Sequence, residues 1–382
     1  MDVRACAWGM LLAALPLAPG ASGEQAQEVG VRISAELRHD AQAAVNRGLE
    51  FLKAAQAPDG GWRAFAGSDP AITALVVKCF AQDPEYGPDH PLVRRAYDFI
   101  LESQQPDGGI YDPDQGMHNY YTSVALMALH LSKDERVQDA VRKAQQYLVD
   151  LQWDEGEDYA PSHVFYGGAG YGRGRRPDLS NTQMMLEALH DSGLSPEHPV
   201  YRKALVFISR CQMLAETNDQ DFAKGGDGGF IYSPAHGGES KAGKVTRNGH
   251  RVLRCYGSMT YSGFKSLLYA GVKRDDPRVR AAYDWIGRNY TLEQNPNMPE
   301  SHAQEGLYYF FHVFARALDA WGEDVVVDAH GGRHAWRAEL MTRLLNLQRA
   351  DGSWYNEEDR WWESNPQLVT AYSVLALQTA LK

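Results

Sequence analysis

Thr122–Leu129 reads TSVALMAL: Thr, three variable residues, an apolar residue, a variable residue, a small residue and Leu. The pattern returns, ending in Leu or Phe, at Thr73–Phe80 (TALVVKCF), Thr182–Leu189 (TQMMLEAL), Thr260–Leu267 (TYSGFKSL) and Thr370–Leu377 (TAYSVLAL). A sixth copy, Phe311–Leu318 (FHVFARAL), keeps the small-Leu ending without the Thr. Such segments are apolar nearly all round, the mark of a helix buried on every side. Each follows a more amphipathic stretch: Gln42–Gln56, Leu92–Gln105, Val137–Gln152, Val200–Gln212, Val279–Tyr290 and Trp336–Gln348. In the last, Trp336, Leu340, Leu344 and Leu347 recur at helical spacing while Arg337 and Arg343 face elsewhere. Alternation of amphipathic and fully apolar helices predicts an outer and an inner layer. Six such hairpins can close on themselves, which predicts an all-α, (α/α)6 toroid.

Connection lengths agree with a ring. Links from inner to outer helix are mostly short, such as Asp191–Glu197 and Gly271–Pro277, whereas outer-to-inner links are long. The longest, Met213 to Tyr256, runs to about forty residues, far beyond an ordinary loop. In a ring all the long links gather on one rim, where long loops on a rigid scaffold carry binding.

The chain begins with Arg4, an apolar run from Ala5 to Leu17, and then Pro19, Gly20, Ala21, Ser22 and Gly23. This reads as a signal peptide over 1–23, too short and Pro-interrupted for a comfortable membrane span. A segment over 24–39 follows, and the repeats run from 40 to 382 as one domain. The expected location is therefore secreted or periplasmic. A net charge of −11 argues against nucleic acid as a partner, since a basic footprint is needed to displace counterions from phosphates. Cys6 leaves with the signal segment. Cys79, Cys211 and Cys255 form no CxxC pair and make no disulfide framework, one bridge with one free thiol staying open. No clustered Cys/His spacing suits zinc, so neither metal nor cofactor is expected.

Several outer helices run into Gln-x-x-Asp-Gly-x-aromatic. Gln56-Ala57-Pro58-Asp59-Gly60-Gly61-Trp62 and Gln348-Arg349-Ala350-Asp351-Gly352-Ser353-Trp354 are full copies, and Gln104-Gln105-Pro106-Asp107-Gly108-Gly109-Ile110 and Asp227-Gly228-Gly229-Phe230 are variants. Physically these are stop signals: Gly permits positive φ, Asp binds local amides, and the aromatic packs the turn onto the neighbouring hairpin. The run resembles the QW motif of squalene-hopene and oxidosqualene cyclases, and the repeat is similar to that of prenyltransferase β subunits. The resemblance covers about Asp40 to Lys382 and implies the toroidal fold.

What it implies for chemistry is loss. The class II cyclases donate a proton from an Asp in DxDD-T, and the matching stretch is Asp178-Leu179-Ser180-Asn181-Thr182. Ser180 stands at the proton donor and Asn181 at the last Asp, and a hydroxyl is far too weak an acid for an alkene. Against the prenyltransferase zinc pattern, Cys255 matches a ligand, but Leu253 and Val369 replace the Asp and the His. No thioester GCGEQ occurs.

Candidate ligand contacts cluster on the long-link rim. Asp178, Ser180, Asn181 and Thr182 follow the Gly-rich loop Tyr166–Arg176, which holds Tyr171, Arg173 and two further arginines. Glycines let a backbone approach a ligand, and an inner-helix N-terminus attracts anions. The bland alternative is that Asp178 or Ser180 caps the helix. Asp112, His118, Tyr121, Tyr256, Tyr261, Tyr309 and Trp362 lie on the same rim, where aromatics serve either a ligand or the core. Three functions follow. The first is an exported, catalytically diverged protein binding a lipid or isoprenoid-like ligand in an aromatic cavity. The second is a carbohydrate lyase or hydrolase, which needs Asp112 or Asp114 facing Glu363 across the cavity and takes a glycan. The third is an interaction scaffold using the Met213–Tyr256 loop with His236, Lys241, Lys244, Arg247 and His250.

Overall fold

The computed structural model describes residues 33–64, 67–247 and 249–382. The expected signal peptide, 1–23, and positions 24–32 lie outside the described residues. Among those described there are twelve α-helices. The odd-numbered, outer ones are α1 (Ala35–Ala54), α3 (Pro91–Glu102), α5 (Glu135–Val149), α7 (Pro199–Cys211), α9 (Pro277–Arg288) and α11 (Trp336–Leu347). The inner ones are α2 (Pro70–Ala81), α4 (His118–Leu129), α6 (Leu179–Asp191), α8 (Gly257–Tyr269), α10 (Leu307–Trp321) and α12 (Pro366–Ala380). Each repeat segment falls within one inner helix. The first helix starts at Ala35, capped by the Ser34 hydroxyl, ahead of position 40. Each inner helix packs on the next, α2 on α4, α4 on α6, α6 on α8, α8 on α10 and α10 on α12, and α12 packs back on α2. The inner ring is therefore closed. Every residue of α2 is buried, whereas α3 buries only Leu92, Val93, Ala96, Tyr97 and Ile100, one stripe of its surface.

The repeat's Thr has a defined task. Its hydroxyl accepts the backbone N–H of the residue that ends each turn: Trp62 on Thr73, Ile110 on Thr122, Ala169 on Thr182, Phe230 on Thr260 and Trp354 on Thr370, at 2.9 to 3.1 Å. One hydrogen bond thus ties each turn to the inner helix that follows it. The Gln of each turn joins neighbouring hairpins. Gln348 donates to Gly352 O in its own turn and to Ala44 O in α1, both at 2.9 Å, across the closure of the ring. Gln56, Gln152 and Gln212 make the equivalent pairs to α3, α7 and α9, and Gln104 reaches α5 at 3.4 Å. The turn glycines have φ between +83° and +90°, and they also lie against the next outer helix. A Cβ on Gly60 or Gly352 would sit 2.5 Å from the carbonyl oxygen of Arg95 or Arg47. The indoles of Trp62 and Trp354 donate back into their own outer helices, at Leu52 O and Leu344 O, while the Trp354 ring lies against Gly48 of α1, so the aromatic joins Gln and Gly in the inter-hairpin joint.

The fifth inner helix, α10, lacks the Thr because the link before it makes no such turn. Instead Glu363, from the α11–α12 link, accepts the amides of Tyr308 and Tyr309 at 3.2 and 2.7 Å and caps α10. Two hairpins decorate the links: β1 (Lys244–Arg247) pairs antiparallel with β2 (His250–Leu253), and β3 (Val326–Val327) with β4 (Arg333–His334). No helix among the described residues is long and apolar enough to cross a membrane. Cys79, Cys211 and Cys255 are buried free thiols.

Candidate ligand-binding cavity

Inner helices that all start at one rim bring their first turns together, and a cavity of about 500 Å³ opens among them. Asp69, Ile72 and Leu75 come from the start of α2, Met117 and Tyr120 from α4, Ser180 and Asn181 from α6, and Tyr256, Ser258 and Met259 from α8. Tyr309 comes from α10 and Leu368 and Tyr372 from α12, while the long links contribute Tyr171, Tyr232, Lys241, Trp361 and Trp362. The volume lies in the range of small-molecule sites, and the wall is mainly aromatic and aliphatic with a few convergent polar groups.

Those polar groups are held in place. The hydroxyls of Tyr120 and Tyr372 meet at 2.8 Å, and Gln183 Nε2 donates to the Tyr309 hydroxyl at 3.0 Å. Ser180 Oγ lies 3.4 Å from that same hydroxyl. Lys241 is drawn in by Glu239 at 2.5 Å and sits 4.2 Å over the Tyr232 ring. Asp69 is the one carboxyl on the wall among the described lining residues. One of its oxygens caps α2 through the amides of Ala71 and Ile72 at 2.9 Å, and the other accepts the Tyr121 hydroxyl. Burial pushes its pKa up against those donors.

Of the residues singled out from sequence, Tyr171, Ser180, Asn181, Tyr256, Tyr309 and Trp362 are brought together at the cavity. The others have structural duties nearby. Asp178 is the cap of α6, accepting the backbone and side-chain amides of Asn181 at 2.9 Å; burial raises its pKa to about 6. Thr182 is the turn-holding Thr. Tyr121 serves Asp69, and Tyr261 packs against Phe310 and Phe314. His118 stacks on Tyr111 at 3.9 Å, and Asp112 accepts the Asp114 amide. Arg173 is exposed, donates to Asp150 O at 3.3 Å and sits 5.9 Å over the Tyr147 ring.

In the Gly-rich loop, Gly167 and Gly170 lie tight against protein backbone. Gly167 is the turn glycine of the third repeat, its absent Cβ 1.9 Å from Lys203 O, and at Gly170 it would lie 2.1 Å from Arg175 O. Asp69, Tyr232 and Tyr372 went unrecognised as site residues. The repeat register held a signal for Asp69, which precedes Thr73 by the same four positions that separate Asp178 from Thr182.

Beneath the cavity the lumen is ionic. Glu187 pairs with Lys265 and, at 2.7 Å, with Arg316, which reaches Asp191 at 2.7 Å; Lys78 meets Asp191 at 3.3 Å. Lys265 and Glu187 are fully buried. His312 stands between this cluster and the cavity wall, stacked on Tyr372 at 5.6 Å. Burial lowers its pKa to about 3, so it is neutral. No group of three or more potential metal ligands occurs among the described residues.

No protein-family model matches the chain. Among curated proteins it is 40% identical over 89 residues to a drimenyl diphosphate synthase from Streptomyces showdoensis, covering 22% of this chain and 16% of that one. It is 27% identical over 194 residues to a probable squalene–hopene cyclase from Sinorhizobium fredii, covering 44% of this chain and 29% of that one. The matches thus span less than a third of either relative's length. Among solved structures, a variant of the type II terpene cyclase MstE from Scytonema, in complex with geranylgeranyl dihydroxybenzoate, matches 91% of this chain and 99% of its own, with a TM-score of 0.57 at 15% identity. The chain is terpenoid-cyclase-like. Its fold is shared more widely, for an alpha-amylase from Clostridium perfringens matches with a TM-score of 0.55 at 12% identity, covering 88% of this chain and 97% of that one. Within this terpenoid-cyclase-like ring, Ser180 projects a neutral hydroxyl into the cavity at the position where the sequence resemblance places an acid.

Proposed function

We propose that this chain is an exported protein that holds an isoprenoid-like or other lipid ligand in the rim cavity, with cyclisation by the family's proton donor lost at Ser180. The observation that carries the reading is the wall itself: six tyrosines, two tryptophans and aliphatic side chains surround a space with a single carboxyl, Asp69. Such a wall removes apolar surface from water around a long hydrocarbon and leaves Ser180, Asn181, Ser258 and Lys241 for one polar end. The relatives named above, and a cyclase holding a geranylgeranyl compound on this fold, support the choice of ligand class.

A carbohydrate lyase or hydrolase fits this geometry poorly. Paired carboxylates must flank a glycosidic bond. Glu363 is turned into the start of α10, Asp112 into its own turn, and neither lines the cavity. An interaction scaffold has no need of an internal space, and a cavity of about 500 Å³ is present.

Native mass spectrometry of the protein purified from its producing cells tests the proposal. The expected result is a co-purifying isoprenoid or lipid that Ser180→Phe, which fills the cavity, reduces about tenfold or more, alongside a mature mass lacking the first residues. A bound oligosaccharide, or the same lipid held equally by Ser180→Phe, would overturn it.

A further inference from the structure

A second pocket, of about 480 Å³, lies in the long α7–α8 link, around the β1–β2 hairpin. Its wall carries Lys224, Lys244, Arg247, His250 and Arg251 against one carboxylate, Asp221. The concentration of cations is notable on a chain of net charge −11. Asp221 is already engaged by Lys224 at 2.7 Å, and Arg247 by Asp227 at 2.6 Å. Lys244 and Arg251 have no acidic partner among the described residues. The Arg247 Nη1 donor is enclosed by protein and unpartnered, so its guanidinium is only partly used.

We infer that this pocket is an anion site for a small polyanion, a compound bearing two or more phosphate or sulfate groups. The argument is one of charge and shape. Cations that a folded protein does not pair on its own surface raise the local potential, and a concave wall focuses it. Guanidinium and ammonium donors in one pocket match the clustered oxygens of a polyphosphate, because charge-assisted hydrogen bonds to such oxygens are the strong ones. The hairpin supplies cations from both strands, Lys244 and Arg247 from β1 and His250 and Arg251 from β2, all of which line the pocket. Val252 and Leu253, buried at the hairpin's base, anchor it to the body of the link. This site shares no lining residue with the rim cavity, so it stands or falls independently of the lipid proposal.

Isothermal titration of the full chain with inorganic tripolyphosphate, at low and at physiological salt, tests the inference. The expected result is saturable 1:1 binding that Lys244→Glu with Arg251→Glu weakens at least tenfold. The control Lys133→Glu with Arg202→Glu makes the same charge change elsewhere on the surface and should leave binding unchanged. Equal loss in both double variants would show a diffuse field effect and overturn the site, as would binding that vanishes at physiological salt or survives the hairpin substitutions. Circular dichroism of each variant separates lost binding from lost folding.

Discussion

Thr370 and Gly352 carry the joint between the last turn and the rest of the ring, and their costs are separable. Thr370→Val keeps the shape but strands the buried Trp354 amide, for an expected loss of about 1–3 kcal/mol. Gly352→Ala must hold Ala at φ +87°, which alone costs about 1–3 kcal/mol, and drives a methyl into the Arg47 carbonyl, so it should be the worse of the two by urea denaturation. Gly352→Ala as stable as the parent would mean that this turn does not join the hairpins. Two buried carboxyls predict the pH response. Burial lifts Glu363 to about 7 and Asp178 to about 6, above their ordinary values of 4.5 and 3.8. The folded chain therefore binds more protons than the unfolded chain between those limits, and stability is full below them and falls as pH rises through them. Melting temperature should decline from about pH 4 to 7, and Glu363→Gln should flatten that decline. A melting temperature rising across the window contradicts the assignment. At this scale the sequence was partly legible: Ser180 and Tyr309 were readable as rim residues, but whether Asp178 faced a ligand or capped its own helix depends on one side-chain rotation.

The inner helices were legible from periodicity because a helix buried on all sides has no polar face. Their boundaries were less so. Gln56, Gln152 and Gln348 read as helix ends, yet α1, α5 and α11 stop at Ala54, Val149 and Leu347, since each Gln is needed beyond the helix to reach the next hairpin. Lys265 and Glu187 look like ordinary charges within apolar segments, and only packing shows them meeting in the lumen. Lys265→Met should cost about 3–5 kcal/mol, because it leaves Glu187 buried with Arg316 alone. Removing both charges, Glu187→Gln with Lys265→Met, should recover most of that in the same denaturation assay, since Arg316 keeps Asp191. A double variant no more stable than the single one would show that the cost is packing and not an unpaired charge.

A closed ring differs from an open solenoid in having no end repeat to fray. Because α12 packs on α2 and Gln348 binds Ala44, the first and last hairpins are neighbours. Thr73→Val, Thr182→Val and Thr370→Val should therefore lose similar stability, within a single unfolding transition followed by circular dichroism. A much smaller loss at Thr73 or Thr370 than at Thr182 would mark an open end. The six-hairpin repeat, the inner and outer layers and the rim on which long links gather were readable from the amino acids, because periodicity and turn chemistry are local and recur in each repeat. Long-range packing settled which rim residues share a cavity, that Gly167 and Gly170 lie against backbone, and that Glu363 caps a helix from another hairpin. Those outcomes depend on contacts between residues far apart in the chain, such as Asp69 with Tyr121 and Glu363 with Tyr309, and no local pattern encodes which of several plausible partners a side chain will meet.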